Sequence, residues 1–154
     1  MAVDASLEVR THTALHVLKG AVVKVLGAKW TAGVWVKDAR GRLIVQLDKK
    51  PDPGELARVE EEANGKIGED APIEELEMSR VEAEDRWGDS IYDVFPLPAS
   101  ITRLKVLHIP GWNVNACNKE HTTTTAEIGS LKIVKNRYRP SKQLLEISFE
   151  ISPS

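Results

Sequence analysis

A chain of 154 residues that is 42% hydrophobic and 29% charged has the composition of one soluble globular domain, with enough apolar side chains for a core. No stretch approaches the roughly 18 consecutive apolar residues of a membrane span, and the first residues lack the basic and apolar regions of a secretory signal. A single cysteine excludes an internal disulfide, which favours a reducing, cytoplasmic location.

The formal net charge of −2 hides an uneven distribution along the chain. Residues 1–50 carry a balance of +5, residues 51–100 of −11 and residues 101–154 of +4. A nucleic-acid partner would therefore meet a local basic surface built from the first and last thirds. An equally open alternative is that these charges serve only solubility or heat tolerance.

The first predicted elements are a short strand around Leu7–Arg10 and a helix that Thr11 caps. The helix ends at Leu26, with Gly27 as its stop signal. Apolar residues surround most of its axis, which predicts a largely buried helix. One stripe interrupts this apolar surface, and it consists of His12, His16, Gly20 and Lys24.

Strands at Trp30–Lys37 and Arg42–Asp48 are predicted to form a hairpin through a turn at 38–41, which ends in a glycine. Asp52 then caps a second helix with Pro53 in its first turn.

The second half of the chain is predicted to be mainly strands. We expect a strand from Pro72 to about Met78, a short helix from Ser79, and a strand at Arg103–Ile109. Residues 112–121 are predicted to form a loop, followed by strands at about 128–137 and 144–151. This order predicts an α+β fold, with helices packed on a largely antiparallel sheet, in one domain that spans residues 1–154.

Two spaced pairs of side chains form the candidate site. His12 and His16 are four apart, so a helix places both imidazoles on one face, and Cys117 and His121 repeat the same separation. Three imidazoles and one thiolate suit zinc. Four protein ligands are also compatible with a closed structural site, but the polar residues around the cysteine favour a wet cleft.

Other chemistries are excluded by the residues present. Thr13 stands where zinc proteases of the His-Glu-x-x-His type carry their general base, so the protease interpretation fails. The sequence has no Gly-rich phosphate loop and no dinucleotide fingerprint, so no nucleoside triphosphate or organic cofactor is expected. His108 is predicted to be an ordinary strand residue.

These motifs in this order, with Glu127-Ile128-Gly129 after the second pair, resemble the editing domain of alanyl-tRNA synthetase. The length of the chain is similar to that of the short free-standing alanyl-tRNA editing proteins of the AlaX type. The resemblance implies an editing-domain-like α+β fold, as also found in threonyl-tRNA synthetase. It further implies a zinc-dependent hydrolase that removes serine, and sometimes glycine, from mischarged tRNA(Ala) in trans.

The resemblance also implies roles for single residues. It makes His12, His16, Cys117 and His121 the zinc ligands and places Thr13 against the serine hydroxyl. The polar residues Asn115 and Asn118 are further candidates for substrate contact. Candidate tRNA-binding residues are Lys132, Lys135, Arg137, Arg139 and Lys142.

Two alternatives stay open at this stage. The substrate could instead be seryl-tRNA(Thr), or the protein could be a non-catalytic zinc module that binds RNA or a protein partner. The sequence assigns neither the oligomeric state nor a catalytic side chain beyond the zinc site.

Overall fold

A computed structural model describes residues 6–152, over which three α-helices and seven β-strands form an α+β fold. The helices are α1 (Leu7–Leu26), α2 (Pro53–Gly68) and α3 (Arg80–Trp87). The strands are β1 (Thr31–Lys37), β2 (Arg40–Gln46), β3 (Glu74–Ser79), β4 (Arg103–Ile109), β5 (Asn113–Ala116), β6 (Ser130–Arg139) and β7 (Leu144–Ser152). Within the same range, no helix has the length and apolar character that crossing a bilayer requires.

The strands form two antiparallel sheets. The larger has the order β1-β2-β7-β6, and the smaller has the order β3-β4-β5. The predicted α+β class with antiparallel strands is therefore confirmed, although the strands divide into two sheets where the sequence predicted one.

Helix α1 is the centre of the fold. It contacts α2, three strands of the larger sheet and β5 of the smaller one, so it lies between the two sheets. Its middle is almost completely buried, as the apolar surface of the sequence predicted. Side chains on the inner face of β2 and β7 complete this core, and they include Leu43, Val45, Leu145 and Ile147. The apolar burial of α1 therefore fixes the helix that carries the two spaced histidines.

The start of α1 corrects the prediction for the first residues. No strand occurs at Leu7–Arg10, because the helix begins at Leu7 and the hydroxyl of Ser6 accepts a hydrogen bond from the Val9 amide. Thr11 lies within the helix and donates its hydroxyl to the carbonyl oxygen of Leu7. A cap five residues earlier than predicted thus converts the expected strand into helix, and the predicted end at Gly27 is confirmed by its left-handed φ of 70°.

The first hairpin is tighter than the sequence predicted. Lys37 pairs directly with Arg40, so the turn contains only Asp38 and Ala39. Gly41 belongs to β2, where the ring of Phe149 on the neighbouring strand packs over its backbone and a Cβ atom would overlap that ring. The glycine therefore serves a close packing contact and not the turn.

Two predicted helix caps and one predicted strand are confirmed. Asp52 and Ser79 cap α2 and α3 with their side chains, and β4 has the predicted bounds. Residues 112–121 are not entirely loop, because Asn113–Ala116 pair with β4 as the edge strand β5. The candidate ligand Cys117 therefore follows directly after a strand.

Gly20 on α1 allows a second close contact. The indole ring of Trp112 lies against it and donates its Nε1–H to the carbonyl oxygen of Val17 at 2.9 Å. We expect Gly20→Ala to destabilise the protein, because overpacking costs about 1–3 kcal/mol whereas the gain in helix propensity is about 1 kcal/mol. Urea unfolding measures the change. The matched control, Gly65→Ala in α2, meets no atom within 4 Å and should be neutral or stabilising; equal stability of the two variants would contradict this packing argument.

Candidate metal centre

The structure brings both spaced pairs together. His12 and His16 extend from one face of α1, Cys117 follows β5, and His121 lies in the segment after it. The four potential ligand atoms all lie within 4.8 Å of one another, and His12 Nε2 is 3.3 Å from Cys117 Sγ. Side chains more than 100 positions apart in the sequence thus converge on a volume suited to one ion.

Two buried nitrogen atoms in this cluster have no hydrogen-bond partner. These are Nε2 of His16 and Nε2 of His121, in side chains of residues only 7% and 6% exposed. A buried polar atom without a hydrogen-bond partner lowers the stability of the folded protein by about 1–3 kcal/mol. Two such nitrogen atoms directed at the same small volume are therefore unusual. Coordination to a metal ion would satisfy both atoms. The donor set therefore fits a metal.

The other ring nitrogen of each buried histidine is held by a fixed partner. His16 Nδ1 lies 3.2 Å from Asn113 Oδ1, and His121 Nδ1 lies 2.9 Å from Glu75 Oε2. Metal-binding histidines characteristically use their second nitrogen in this way, because the outer hydrogen bond fixes the tautomer and the ring orientation. Both imidazoles are oriented for coordination through Nε2.

The protonation states also suit a metal. Burial lowers the pKa of His12 to about 4 and holds the pKa of His16 and His121 below the ordinary value, although Glu75 partly opposes the shift at His121. The imidazoles are therefore neutral near pH 7 and can donate their lone pairs. Burial raises the pKa of the Cys117 thiol, so metal binding would displace its proton.

A cleft of about 390 Å³ opens beside the cluster, bounded by α1, β1 and the β4–β5 pair. His12, His16 and Cys117 border it directly. Its wall is largely apolar, with contributions from Leu15, Val34, Leu43, Leu97 and Leu104. A bound metal would thus be accessible from the cleft on the side of three of its four proposed ligands.

Thr13 lies away from this cleft. It is completely buried, donates its hydroxyl to the carbonyl oxygen of Val9 at 2.7 Å and accepts a hydrogen bond from the Thr122 amide at 3.0 Å. Successive residues of a helix are rotated by about 100° around its axis. Thr13 therefore points away from the helix face that carries His12, whereas Leu15, three positions after His12, lies on that face. In the structure Thr13 ties the segment that carries His121 to α1.

The two asparagine candidates do border the cleft. Asn115 donates its side-chain amide to the carbonyl oxygen of Ile91 and to Oδ1 of Asp93, at 3.1 and 3.2 Å. Asn118, one position after Cys117, lies at the same opening. Both side chains are therefore placed where a ligand in the cleft would be in reach.

Five charged residues that were not predicted as site residues line the cleft: Lys19, Asp93, Arg103, Lys105 and Lys119. Lys19 is only 8% exposed and donates to Thr31 Oγ1 at 2.7 Å, and burial lowers its pKa to about 8. Asp93 borders the same cleft, and burial raises its pKa. The spacing of Lys19 from His12, seven residues along α1, was a usable signal. Asp93 lies in an irregular segment with no pattern that could have identified it.

The basic candidates of β6 share one surface. A bulge after Ile133 keeps Lys132, Lys135, Arg137 and Arg139 on the face of the larger sheet that points away from α1. Glu146 binds Arg139 on this face, and Lys142 lies in the turn that follows β6. The neighbouring β2 adds Arg40 and Arg42, which are both exposed.

His108 lies outside the metal-binding cluster. Its Nδ1 is 2.7 Å from Glu74 Oε1, and its ring packs against Trp87. It is an ordinary strand residue, as the sequence predicted.

No family model matches the chain. The chain is similar to part of the alanine–tRNA ligase of Saccharolobus islandicus, with 35% identity over 146 residues that cover 94% of this chain and 16% of that protein. The alanine–tRNA ligase of Methanopyrus kandleri is 38% identical over 126 residues, and that of Staphylothermus marinus is 37% identical over 127 residues. Each of these two alignments covers 14% of the relative. The chain spans only 14–16% of the length of these relatives, and the predicted resemblance to a part of alanyl-tRNA synthetase is confirmed.

Proposed function

We propose that this protein is an aminoacyl-tRNA editing hydrolase that removes serine from mischarged tRNA(Ala), with a zinc ion held by His12, His16, Cys117 and His121. The observation that carries the proposal is the cluster itself: four ligand atoms within 4.8 Å, two of them buried and otherwise unpartnered, at the edge of a cleft. The similarity to alanine–tRNA ligases supports a tRNA substrate. The single domain over residues 1–154, action in trans and a cytoplasmic location stay predictions.

The donor set favours zinc over harder ions, because neutral imidazole and thiolate suit a borderline-soft metal. When bound, zinc supplies positive charge that can polarise an ester carbonyl or lower the pKa of a water molecule. The chain itself orients two of the ligands through Asn113 and Glu75, and the cleft reaches the cluster on the side of His12, His16 and Cys117.

The cleft has features that an aminoacyl-adenosine end requires. Its apolar wall offers a surface for the terminal base, while Asn115 and Asn118 offer hydrogen bonds for the serine hydroxyl and the ribose. Arg103 and Lys119 border the opening, where they would meet the phosphate of the terminal nucleotide. A site that hydrogen-bonds the serine hydroxyl can select serine over alanine. An apolar pocket built for alanine cannot exclude serine as strongly.

Thr13 has a proposed substrate role and an observed structural one. Replacing it by valine removes the acceptor of the buried Thr122 amide, so we expect a loss of about 1–3 kcal/mol in unfolding free energy. Urea unfolding tests this, and unchanged stability would contradict the bridging role. If Thr13 also contacts the serine hydroxyl, the ratio of seryl-tRNA to alanyl-tRNA hydrolysis will fall in the same variant.

The basic face of β6 is proposed to contact the tRNA backbone. If Lys135 neutralises one phosphate, Lys135→Ala should weaken tRNA binding and reduce the slope of log K against log salt by about one. Filter binding at several salt concentrations measures the slope. The control is Lys24→Ala, because Lys24 pairs with Glu62 on the opposite side of the sheet. Equal slopes for the native protein and the Lys135 variant would place the tRNA elsewhere.

The proposed function is tested by deacylation of seryl-tRNA(Ala), alanyl-tRNA(Ala) and seryl-tRNA(Thr), with zinc-loaded and with chelated protein. We expect zinc-dependent release of serine from tRNA(Ala) and little release of alanine. Faster release from tRNA(Thr) would change the substrate and keep the chemistry. No release from any of the three by zinc-loaded protein would refute the hydrolase and favour a binding module.

A further inference from the structure

The cleft contains a second polar site besides the metal-binding cluster. Lys19 follows His12 by seven residues, which is two helical turns or about 10 Å along the axis of α1. Asp93 enters from the segment after α3, and both residues line the same cleft as His12 and Cys117. The lining also contains Arg103, Lys105 and Lys119, so Asp93 is the one acidic residue among the described lining residues. Lys19 and Asp93 form a pair of opposite charges on the wall.

These two charges do not neutralise each other by direct contact. In the described part of the chain, the Lys19 ammonium donates its one hydrogen bond to the hydroxyl of Thr31, and Asp93 accepts its one hydrogen bond from the Asn115 amide. No ion pair closer than 4 Å joins Lys19 to Asp93 among these residues. A carboxylate has four lone-pair sites, so most of the accepting capacity of Asp93 is unused.

Removing a carboxylate from water is costly unless it is paired. Burial is the largest effect on Asp93 and raises its pKa, whereas the Asn115 hydrogen bond and the positive charge of Lys19 oppose that shift. The structure therefore places a carboxylate with unused acceptor oxygens on the wall of a mainly apolar cleft. Such a carboxylate is complementary to a small cationic group on a ligand.

We propose that Asp93 binds the α-ammonium group of the aminoacyl ester, with Lys19 and Asn115 as its positioning residues. This inference rests on the proposed function, and it adds that the protein recognises a free amine and discriminates against N-blocked aminoacyl ends. In the hydrolysis, the oxygen of one water molecule bonds to the acyl carbon and the bond from that carbon to the ribose oxygen breaks. One proton of the water passes to the ribose oxygen, and the α-ammonium keeps its protons throughout and stays on Asp93.

Binding of a non-hydrolysable analogue tests the proposal without requiring turnover. The probes are 3′-serylamido-3′-deoxyadenosine and its N-acetyl derivative, titrated into zinc-loaded protein and followed by calorimetry. We expect the native protein to bind the free amine at least about tenfold more tightly, because hydrogen bonds to charged groups are among the stronger ones in proteins and a tenfold ratio corresponds to only about 1.4 kcal/mol. Asp93→Asn should bring the ratio near one by weakening only the free-amine probe.

The control Glu120→Gln removes a nearby carboxylate that does not line the cleft, and it should preserve the ratio. Asp93→Ser serves as a second variant if the asparagine variant does not fold. A native ratio near one, no binding of the free-amine probe at millimolar concentration, or a large ratio that survives in a folded Asp93 variant would each overturn the proposal. A large ratio that survives in a folded Asp93 variant would place the amine on the metal instead. If the protein hydrolyses seryl-tRNA(Ala) but binds both probes equally well, this inference alone is refuted. If it prefers the free-amine probe but hydrolyses none of the aminoacyl-tRNAs, the proposed function alone is refuted.

Discussion

Replacing His16 by alanine is expected to lower zinc affinity by more than about 100-fold and to reduce deacylation to the uncatalysed rate. Loss of an outer hydrogen-bond partner alone typically costs 10–100-fold in metal affinity, and His16→Ala removes a direct ligand. The change also deletes one of the two buried, unpartnered Nε2 atoms. Competition with a chromogenic chelator measures the affinity, and release of serine from seryl-tRNA(Ala) measures the activity.

The chain offers a matched control for this change. Like His16, His108 lies on an ordered element and has a side-chain oxygen as the partner of its Nδ1, but it lies outside the metal-binding cluster. His108→Ala should leave zinc affinity and deacylation unchanged. Full zinc affinity in the His16 variant would mean that the metal is held elsewhere.

The second large effect is expected at Glu75, which contacts no metal. Its Oε2 accepts from His121 Nδ1 at 2.9 Å and from Lys105 Nζ at 2.7 Å, and Lys105 and His121 lower the pKa of Glu75 against the effect of burial. The negative charge of Glu75 fixes the tautomer of His121 and makes its Nε2 a stronger electron-pair donor to a metal. Glu75→Gln removes that charge. We expect zinc affinity to fall about 10–100-fold.

Glu74→Gln is the control, one residue earlier on β3. Glu74 makes the same kind of contact, at 2.7 Å, to the nitrogen of His108. The two substitutions are chemically identical and differ only in which histidine loses its partner. Zinc affinity should therefore fall in the Glu75 variant and stay unchanged in the Glu74 variant, and equal affinities would contradict the role of Glu75.

Elements with strong local signals could be predicted from the sequence. The end of α1 at Gly27, the Asp52 and Ser79 caps, and β4 all depend on residues within a few positions of one another. The beginning of α1 was misplaced because Ser6 and Thr11 are both good caps, and only the structure shows that Thr11 uses its hydroxyl inside the helix.

Features that depend on distant partners could not be predicted. Gly41 owes its position in β2 to the ring of Phe149, about 100 residues later in the sequence. The division into two sheets follows from the pairing of β2 with β7, which are about 100 residues apart. Such contacts leave no periodic pattern in the sequence.

The candidate site shows the same division. Each ligand pair could be recognised from its i, i+4 spacing, and the structure brings the two pairs together. Helical rotation alone would have placed Leu15 and Lys19, rather than Thr13, on the face of His12. Asp93 had no local signal, because only the folding of an irregular segment against β5 brings it into the cleft.

The most direct measurement is a titration of zinc into metal-free protein, with the initial rate of seryl-tRNA(Ala) hydrolysis recorded at each addition. We predict a rate that rises with zinc and reaches a plateau at one ion per chain, with no such rise in the His16 variant. A rate that is already maximal in chelated protein, or that stays at the uncatalysed value at full occupancy, would contradict the assignment of this cluster as the centre of an editing hydrolase.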